Sequence, residues 1–509
     1  MKSGKSTPAP IGHAWLRAHF APATLAPYTE SYVIAGARRI EMRGPRTTEF
    51  YPRIYATGDD ISANLRFALR YEPLDLGILV AAFEAMPPET ITDWVRAEPT
   101  GAYARRAWFL VEHLTGRTLD LSDATAGRYV PALDPAKHLT GRPRNSPRHR
   151  VTDNLLGTPL LCPTIRRTVA LNQRIASRID DEVRALVQPY DAAILARATH
   201  YLYTKETRSS FAIEGETPSA TRTERFVAAL RAASRFDPSD PAAIVRLQNA
   251  IVDPRYAATG WRDFQNFVGE TTVGFGEQVH FLCPQPGDVA SLMQGWMDLL
   301  ARMIADHVDP VATAAIAAFA FVFIHPFEDG NGRIHRFLIH HVLSRTGFSP
   351  GDLIFPVSAA IMRDQRSYDA VLETFSQPLL ALLDWDWTPA REIVIRGETA
   401  PHYRFFDATL FAEYLYDRVA DTVRTDLRAE LGFLATFDRA TAGVRDIVDI
   451  PDRRAALLIR LIIQNGGTLS RTKRAQFAEL SDPELAAIET AVQAATASGL
   501  EAETPDPGS

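Results

Sequence analysis

Between Ala312 and Ile324 the chain carries, apart from Thr313, only alanine and large apolar side chains. A helix that is apolar on every face must be wrapped by other elements or by lipid. This run is shorter than the ~20 residues a bilayer span needs, so it predicts a buried helix in a mainly helical chain. Its neighbours read as helices too. DEVRALVQPYDAAILARATHYLYTKETRSSFAIEG is helical up to Gly215, and SATRTERFVAALRAASRF starts again after Pro218. VASLMQGWMDLLARMIADHV begins at Val289, and RIHRFLIHHVLSRTG sets Ile334, Phe337, Leu338 and His341 on one face before Gly347 stops it. The clearest strand candidate, FVGETTVGFGEQVHFLCPQP, lies between Trp261 and Pro286 and carries glycines at a hairpin turn. Trp385 to Pro389 closes the block.

With 509 residues, 46% of them hydrophobic, the chain can bury a sizeable core and leads us to expect two or three domains. A net charge of −6 gives no general attraction to nucleic acid. Two cysteines, Cys162 and Cys283, exclude a disulfide framework and a four-thiolate zinc site, so a reducing, cytoplasmic setting is expected. MKSGKSTPAPIG has no apolar run behind it, which argues against a secretory leader. The first dozen and last nine residues read as floppy ends. Residues 13–135 look mixed and mostly helical, with Trp108, Leu110, Val111 and Leu114 at helical spacing before Gly116. GRPRNSPRHR, Arg142 to Arg150, reads as a solvated basic loop, although its five Arg and His side chains suit phosphates. Beyond residue 450, three short helices, the last opened by Ser481 and Glu484 in capping-box spacing, fit a winged-helix or helix-turn-helix module or a plain helical packing unit.

The segment that carries chemistry is His325-Pro-Phe-Glu-Asp-Gly-Asn-Gly-Arg-Ile-His-Arg336. Gly330 and Gly332 let the backbone approach a ligand closely. The helix that follows opens with unpaired N–H groups and a positive dipole end, an anion site. Arg333 and Arg336, three apart, add two fixed guanidinium forks suited to a polyphosphate. Asp329 supplies a hard oxygen ligand where Mg²⁺ would sit beside phosphates. His325, with an ordinary pKa of about 6.5, can accept a proton near neutral pH. A zinc site at His335, His340 and His341 fails on spacing, because adjacent histidines point apart on a helix.

This run resembles the Fic family motif, H-x-F-x-[D/E]-G-N-G-R-x-x-R, at His325, Phe327, Asp329, Gly330, Asn331, Gly332, Arg333 and Arg336. The resemblance extends over roughly residues 185 to 500 and implies a protein adenylyltransferase that moves AMP from ATP to a Ser, Thr or Tyr hydroxyl. It gives His325 the role of base and Asp329 that of the Mg²⁺ ligand. Gly330, Asn331 and Gly332 would cradle the α-phosphate, Arg333 and Arg336 would grip the β- and γ-phosphates, and Phe327 would anchor the loop. The hairpin, about 267–283, would be a flap on which a target protein docks. Tyr368 would lie near the nucleoside, with core packing as its other reading. Ser210-Phe-Ala-Ile-Glu214-Gly215 is similar to the family's inhibitory pattern [S/T]-x-x-x-E-[G/N], in which the glutamate pairs with the second motif arginine, here Arg336.

The expected organisation is a mostly helical N-terminal extension (1–180) and a Fic domain (181–395). A helical linker (396–447) and a winged-helix-like module with a disordered tail (448–509) follow. Three alternatives stand beside AMP transfer: movement of another nucleotidyl or phosphate group, removal of AMP by the same site, and a nucleotide-sensing DNA-binding regulator reading DNA through Arg471, Lys473 and Arg474. The expected partners are ATP and an unidentified target protein. A second copy of the chain and DNA are further candidates, and no membrane is expected.

Overall fold

A computed structural model describes residues 7–271 and 277–501. Its centre is the helix Pro310–Ile324, in which every residue but Pro310 and Val322 is buried. Asp309 caps its start through the Ala312 N–H at 2.9 Å, with Pro310 preset for the first turn. The helices Asn331–Arg345, Thr409–Asp421 and Pro286–Ala305 wrap it. Trp296 donates to the Ala317 carbonyl at 2.8 Å, and Phe319 stacks on Phe411 at 4.7 Å. Each such buried side chain contributes about 1.5–3 kcal/mol of apolar transfer.

Wrapping extends past the expected linker. Phe411, Leu415 and Val419 belong to the central core, as do Val423 and Leu427 of the π-helical turn Thr422–Leu427. From there the helix Arg428–Ile447 leaves the core at Leu431 and gives Ala440 and Val444 to the C-terminal core. The stretch 396–447 is therefore a structural member of three cores, with Phe405 in that of the N-terminal unit. It binds the units together through buried apolar surface instead of spacing them.

The N-terminal extension is mixed, with more helix than strand. Helices such as Ile61–Tyr71, Leu76–Ala85 and Ala102–Thr115 share it with a four-stranded sheet and a three-stranded one, neither of which the sequence pattern announced. In the larger sheet Thr29–Ile34 lies between Ala9–Ile11 and Arg46–Pro52, antiparallel to the first and parallel to the second. Ala9–Ile11 was expected to be part of a floppy end; its backbone is paired. TESYVI and RTTEFYP carry the β-branched and aromatic residues that fit a pleated surface. The basic loop Arg142 to Arg150 is exposed over its first half, as expected, but its basic side chains are anchored. Arg144 pairs with Asp306 at 2.6 Å, and Arg148 and His149 converge on Glu112 at 2.8 and 2.9 Å. Together with Arg302–Asp153 at 2.8 Å, the Arg144–Asp306 pair stitches the N-terminal unit onto the central bundle.

The tail is a helical unit built from Asp452–Gln464, a 3-10 turn Arg471–Phe477 and Asp482–Glu501. No strand accompanies it among the described residues. Ser481 and Glu484 bond reciprocally as a capping box. Arg474 spends its donors on the Phe477 and Leu480 carbonyls and on Asp482, which removes it from the cations free to meet a phosphate backbone. Residues 1–6, within the expected floppy start, and 502–509, most of the expected disordered tail, lie outside the described residues. Among the described residues no helix is long and apolar enough to cross a membrane.

Candidate active site

The central helix ends at His325, whose φ of 52° puts it in the left-handed region, and the chain turns sharply toward the next helix. His325 Nδ1 faces the Val322 carbonyl at 3.0 Å. A carbonyl can only accept, so the proton resides on Nδ1 and the lone pair on Nε2. Burial lowers the imidazole pKa to about 4, assisted by the Arg262 charge. His325 is therefore a neutral acceptor throughout the physiological range.

Phe327, 1% exposed, pins the loop against Trp261 at 5.4 Å. Asn331 is used up in shaping the loop. Its Oδ1 accepts from the Phe327 N–H and its Nδ2 donates to the Phe327 carbonyl, at 3.1 and 2.9 Å. Only its backbone remains for a ligand. Gly330 sits at φ 92°, where an added Cβ would lie 2.8 Å from Val252. The helix Asn331–Arg345 then begins, and Ile334 is its first residue to bond internally, to the Gly330 carbonyl at 2.9 Å. The N–H groups of Gly332 and Arg333 have no intrahelical acceptor, as expected of a first turn.

Both motif arginines are buried and both face acids. Arg336 gives Nε to Ser210 Oγ at 2.8 Å and Nη2 to the Ser210 carbonyl at 2.8 Å and to Glu214 Oε1 at 2.7 Å. The helix Ala192–Ile213 stacks Ser210 and Glu214 one turn apart, and Gly215, at φ 69°, ends it so that Glu214 stands at the tip. The carboxylate lies over Gly332, where an added Cβ would come within 2.2 Å of Glu214 Oε1. Glu214 thus stands over the helix N-terminus while its carboxylate is held in the Arg336 fork. Burial resists its ionisation, but Arg336, Arg333 and His325 together hold its pKa below the usual carboxylate range.

Arg333 meets Asp329 Oδ1 at 2.5 Å and Glu216 at 3.2 Å, with the Phe211 ring beneath it at 5.3 Å. Glu216 is a residue that motif reading missed; its signal was the acid-glycine-acid run at the end of the helix. Asp329 Oδ1 also takes the Gly330 N–H, and the side chain is partly exposed. One carboxylate oxygen plus phosphate oxygens is the usual protein share of an Mg²⁺ sphere, so the residues present fit that ion. Among the described residues no cluster of three acidic, His or Cys side chains would hold a metal without such help.

Tyr368 lies under the site. It is 6% exposed, packed edge-on to His335 at 6.0 Å, and burial pushes its hydroxyl pKa up to about 12. His335, His340 and His341 diverge to Ala318, Glu206 and Ala233. Cys162 and Cys283 are free and buried, with thiol pKa values pushed up to about 12, which keeps them protonated and inert. The expected hairpin is present as Phe267–Thr271 paired antiparallel with Glu277–Leu282. Its tip, 272–276, including the expected turn glycines Gly274 and Gly276, lies outside the described residues.

Residues 238–343 match the profile of the Fic/DOC family. Over 67 residues the chain is 46% identical to Protein adenylyltransferase Fic of Drosophila willistoni, covering 13% of this chain and 14% of that protein. The counterpart in Drosophila mojavensis is 45% identical over 67 residues, again 13% of each. The match thus spans about a seventh of the curated relatives' length. Among solved structures, a Fic family protein from Desulfovibrio desulfuricans G20 aligns at 21% identity and TM-score 0.39, over 62% of this chain and 85% of that one. A segment of Fic-1 from C. elegans aligns at 19% identity and TM-score 0.31, over 74% and 95%.

Proposed function

We propose a protein adenylyltransferase restrained by its own Glu214, a reading supported by the match of residues 238–343 to the Fic/DOC family. It would take AMP from ATP and place it on a Ser, Thr or Tyr hydroxyl of a target protein or of itself. The hydroxyl gives its proton to His325 Nε2 while its oxygen bonds to the α-phosphorus. The P–O bond to the bridging oxygen breaks, and pyrophosphate leaves. Because a Ser or Thr hydroxyl is a far weaker acid than imidazolium, proton removal accompanies attack, and such a base is worth about 10²–10⁴ in rate. The open N–H groups of Gly332 and Arg333 receive the charge that develops on the α-phosphate. Arg333 and Arg336 hold the β- and γ-phosphates in this reading. Mg²⁺, held by Asp329 and the phosphate oxygens, would supply charge neutralisation along the chain.

The observation that carries the reading is the occupied fork. A guanidinium already bonded to Glu214 Oε1, with the carboxylate over Gly332, has no room for a γ-phosphate. Restraint follows from competition between two anions for one site. Incubating wild type, Glu214→Gly and the Glu214→Gly/His325→Ala double variant with ATP, Mg²⁺ and a lysate, then reading AMP-modified peptides by mass spectrometry, tests it. Glu214→Gly should modify itself or a lysate protein well above wild type, and the double variant should lose that signal. Equal labelling by all three would refute the proposal.

A further inference from the structure

Arg262 is a buried cation whose partners are all backbone carbonyls. It is 6% exposed, and no carboxylate pairs with it among the described residues. Its Nε donates to the His325 carbonyl at 2.8 Å and its Nη1 to the Phe264 carbonyl at 2.7 Å. Its Nη2 donates to the Pro284 carbonyl at 2.7 Å and, more weakly, to that of Ile324 at 3.4 Å. Its own backbone N–H closes on the Pro326 carbonyl at 2.9 Å.

The places those carbonyls come from matter more than their number. Ile324 and His325 are the open C-terminal end of the central helix, where a cation is favoured by the dipole. Phe264 lies just before the strand Phe267–Thr271, and Pro284 just after Glu277–Leu282, so they are the two roots of the hairpin. A planar fork with donors fixed in direction can join all of them only in one arrangement. His325 needs such support, because a non-glycine residue in the left-handed region is strained unless its surroundings hold it there.

We propose that Arg262 is a positioning residue for the transfer. It ties the backbone of His325 to both roots of the hairpin, so that the base and the segment presenting the hydroxyl share one geometry. The inference rests on the adenylyltransferase reading for its kinetic consequence, while its structural consequence can be read without any activity. The charges facing His325 are Arg262, Glu214 and Asp329. In a Glu214→Gly background, removing the first leaves Asp329 alone, and the still buried imidazole then holds its proton to somewhat higher pH.

The test uses full-length Glu214→Gly protein and, in that background, Arg262→Lys and Arg262→Met. Self-modification with α-labelled ATP, MgATP affinity, and the titration of the His325 imidazole by NMR are followed in each. Arg262→Lys keeps the charge and loses the fork. It should hold the His325 midpoint near its starting value while transfer falls about 100-fold, as a misplacement of about 1 Å can produce, with MgATP affinity unchanged. Arg262→Met should lose transfer and also raise the His325 midpoint above that of the Glu214→Gly parent, by the part of the depression that the Arg262 charge causes and burial does not. Full transfer by Arg262→Lys would overturn the proposal, as would an unmoved midpoint in folded Arg262→Met. If the Glu214→Gly parent transfers no AMP, the adenylyltransferase reading fails, and the two midpoints still decide whether Arg262 holds the base.

Discussion

Glu112 and Glu214 each hold an arginine near the end of a helix, yet they are built for different purposes. Glu112 accepts from Arg148 through two nitrogens, from Trp108 Nε1, from the Leu119 N–H and from His149. Despite burial, those donors lower its pKa to about 2, and its lone pairs are filled. Glu214 accepts from a single donor, Arg336 Nη2, just past the last residue of its helix and partly open to solvent. The first arrangement fastens a fold. In the proposed reading the second is exchanged for another anion without unfolding anything, because the groups it would release are those a triphosphate could satisfy.

The contrast is broken most severely by Glu112→Ala. Removing one partner of a covered ionic hub strands the others and should destabilise the protein by about 3–5 kcal/mol. Thermal unfolding would register this, whereas transfer per folded molecule, measured in the Glu214→Gly background, should not change. Glu214→Gly should do the reverse. A charge-assisted hydrogen bond is worth about 1.5–3 kcal/mol, so its loss corresponds to an increase in AMP transfer of about 10- to 100-fold with an unfolding temperature close to wild type. Ser210→Ala removes one neutral acceptor from Arg336 and should activate less, about two- to tenfold in the same assay.

Smallest of all is the effect of pH. The Glu214 pKa is depressed, so the latch is fully formed above the ordinary carboxylate range and is lost only as pH falls through that lowered value. His325 is neutral down to about 4. The ratio of Glu214→Gly to wild-type activity should therefore stay constant between about pH 5.5 and 8. A ratio that collapsed near pH 6.5 would mean that an unperturbed histidine controls the site.

The same contrast explains what could be read from the residues alone. His325 to Arg336 is legible because its groups lie within one turn and one helix start, where spacing dictates direction. The pairing of Ser210 and Glu214 with Arg336 spans 126 and 122 residues and was reached through a resemblance, since no periodicity links those positions. Glu216 and Arg262 went unread for a related reason. The partners of Arg262 are carbonyls, which every residue carries, so no residue type marks where they will meet. The N-terminal strands were hidden by short length, and by a parallel pairing of Thr29–Ile34 with Arg46–Pro52 that a hairpin signal does not announce. The stretch 396–447 looked like a linker because its apolar residues had no visible partner until the central helix supplied one.

The account depends on an exchange of anions at Arg336. Its most direct measurement is a crystal structure of Glu214→Gly grown with ATP and Mg²⁺, compared with wild type under the same conditions. The variant should hold the γ-phosphate on Arg336 and the α-phosphate over Gly332, facing His325 Nε2, and wild type should keep Glu214 there. A nucleotide bound elsewhere in the variant, with Arg336 still turned to Ser210 alone, would contradict it.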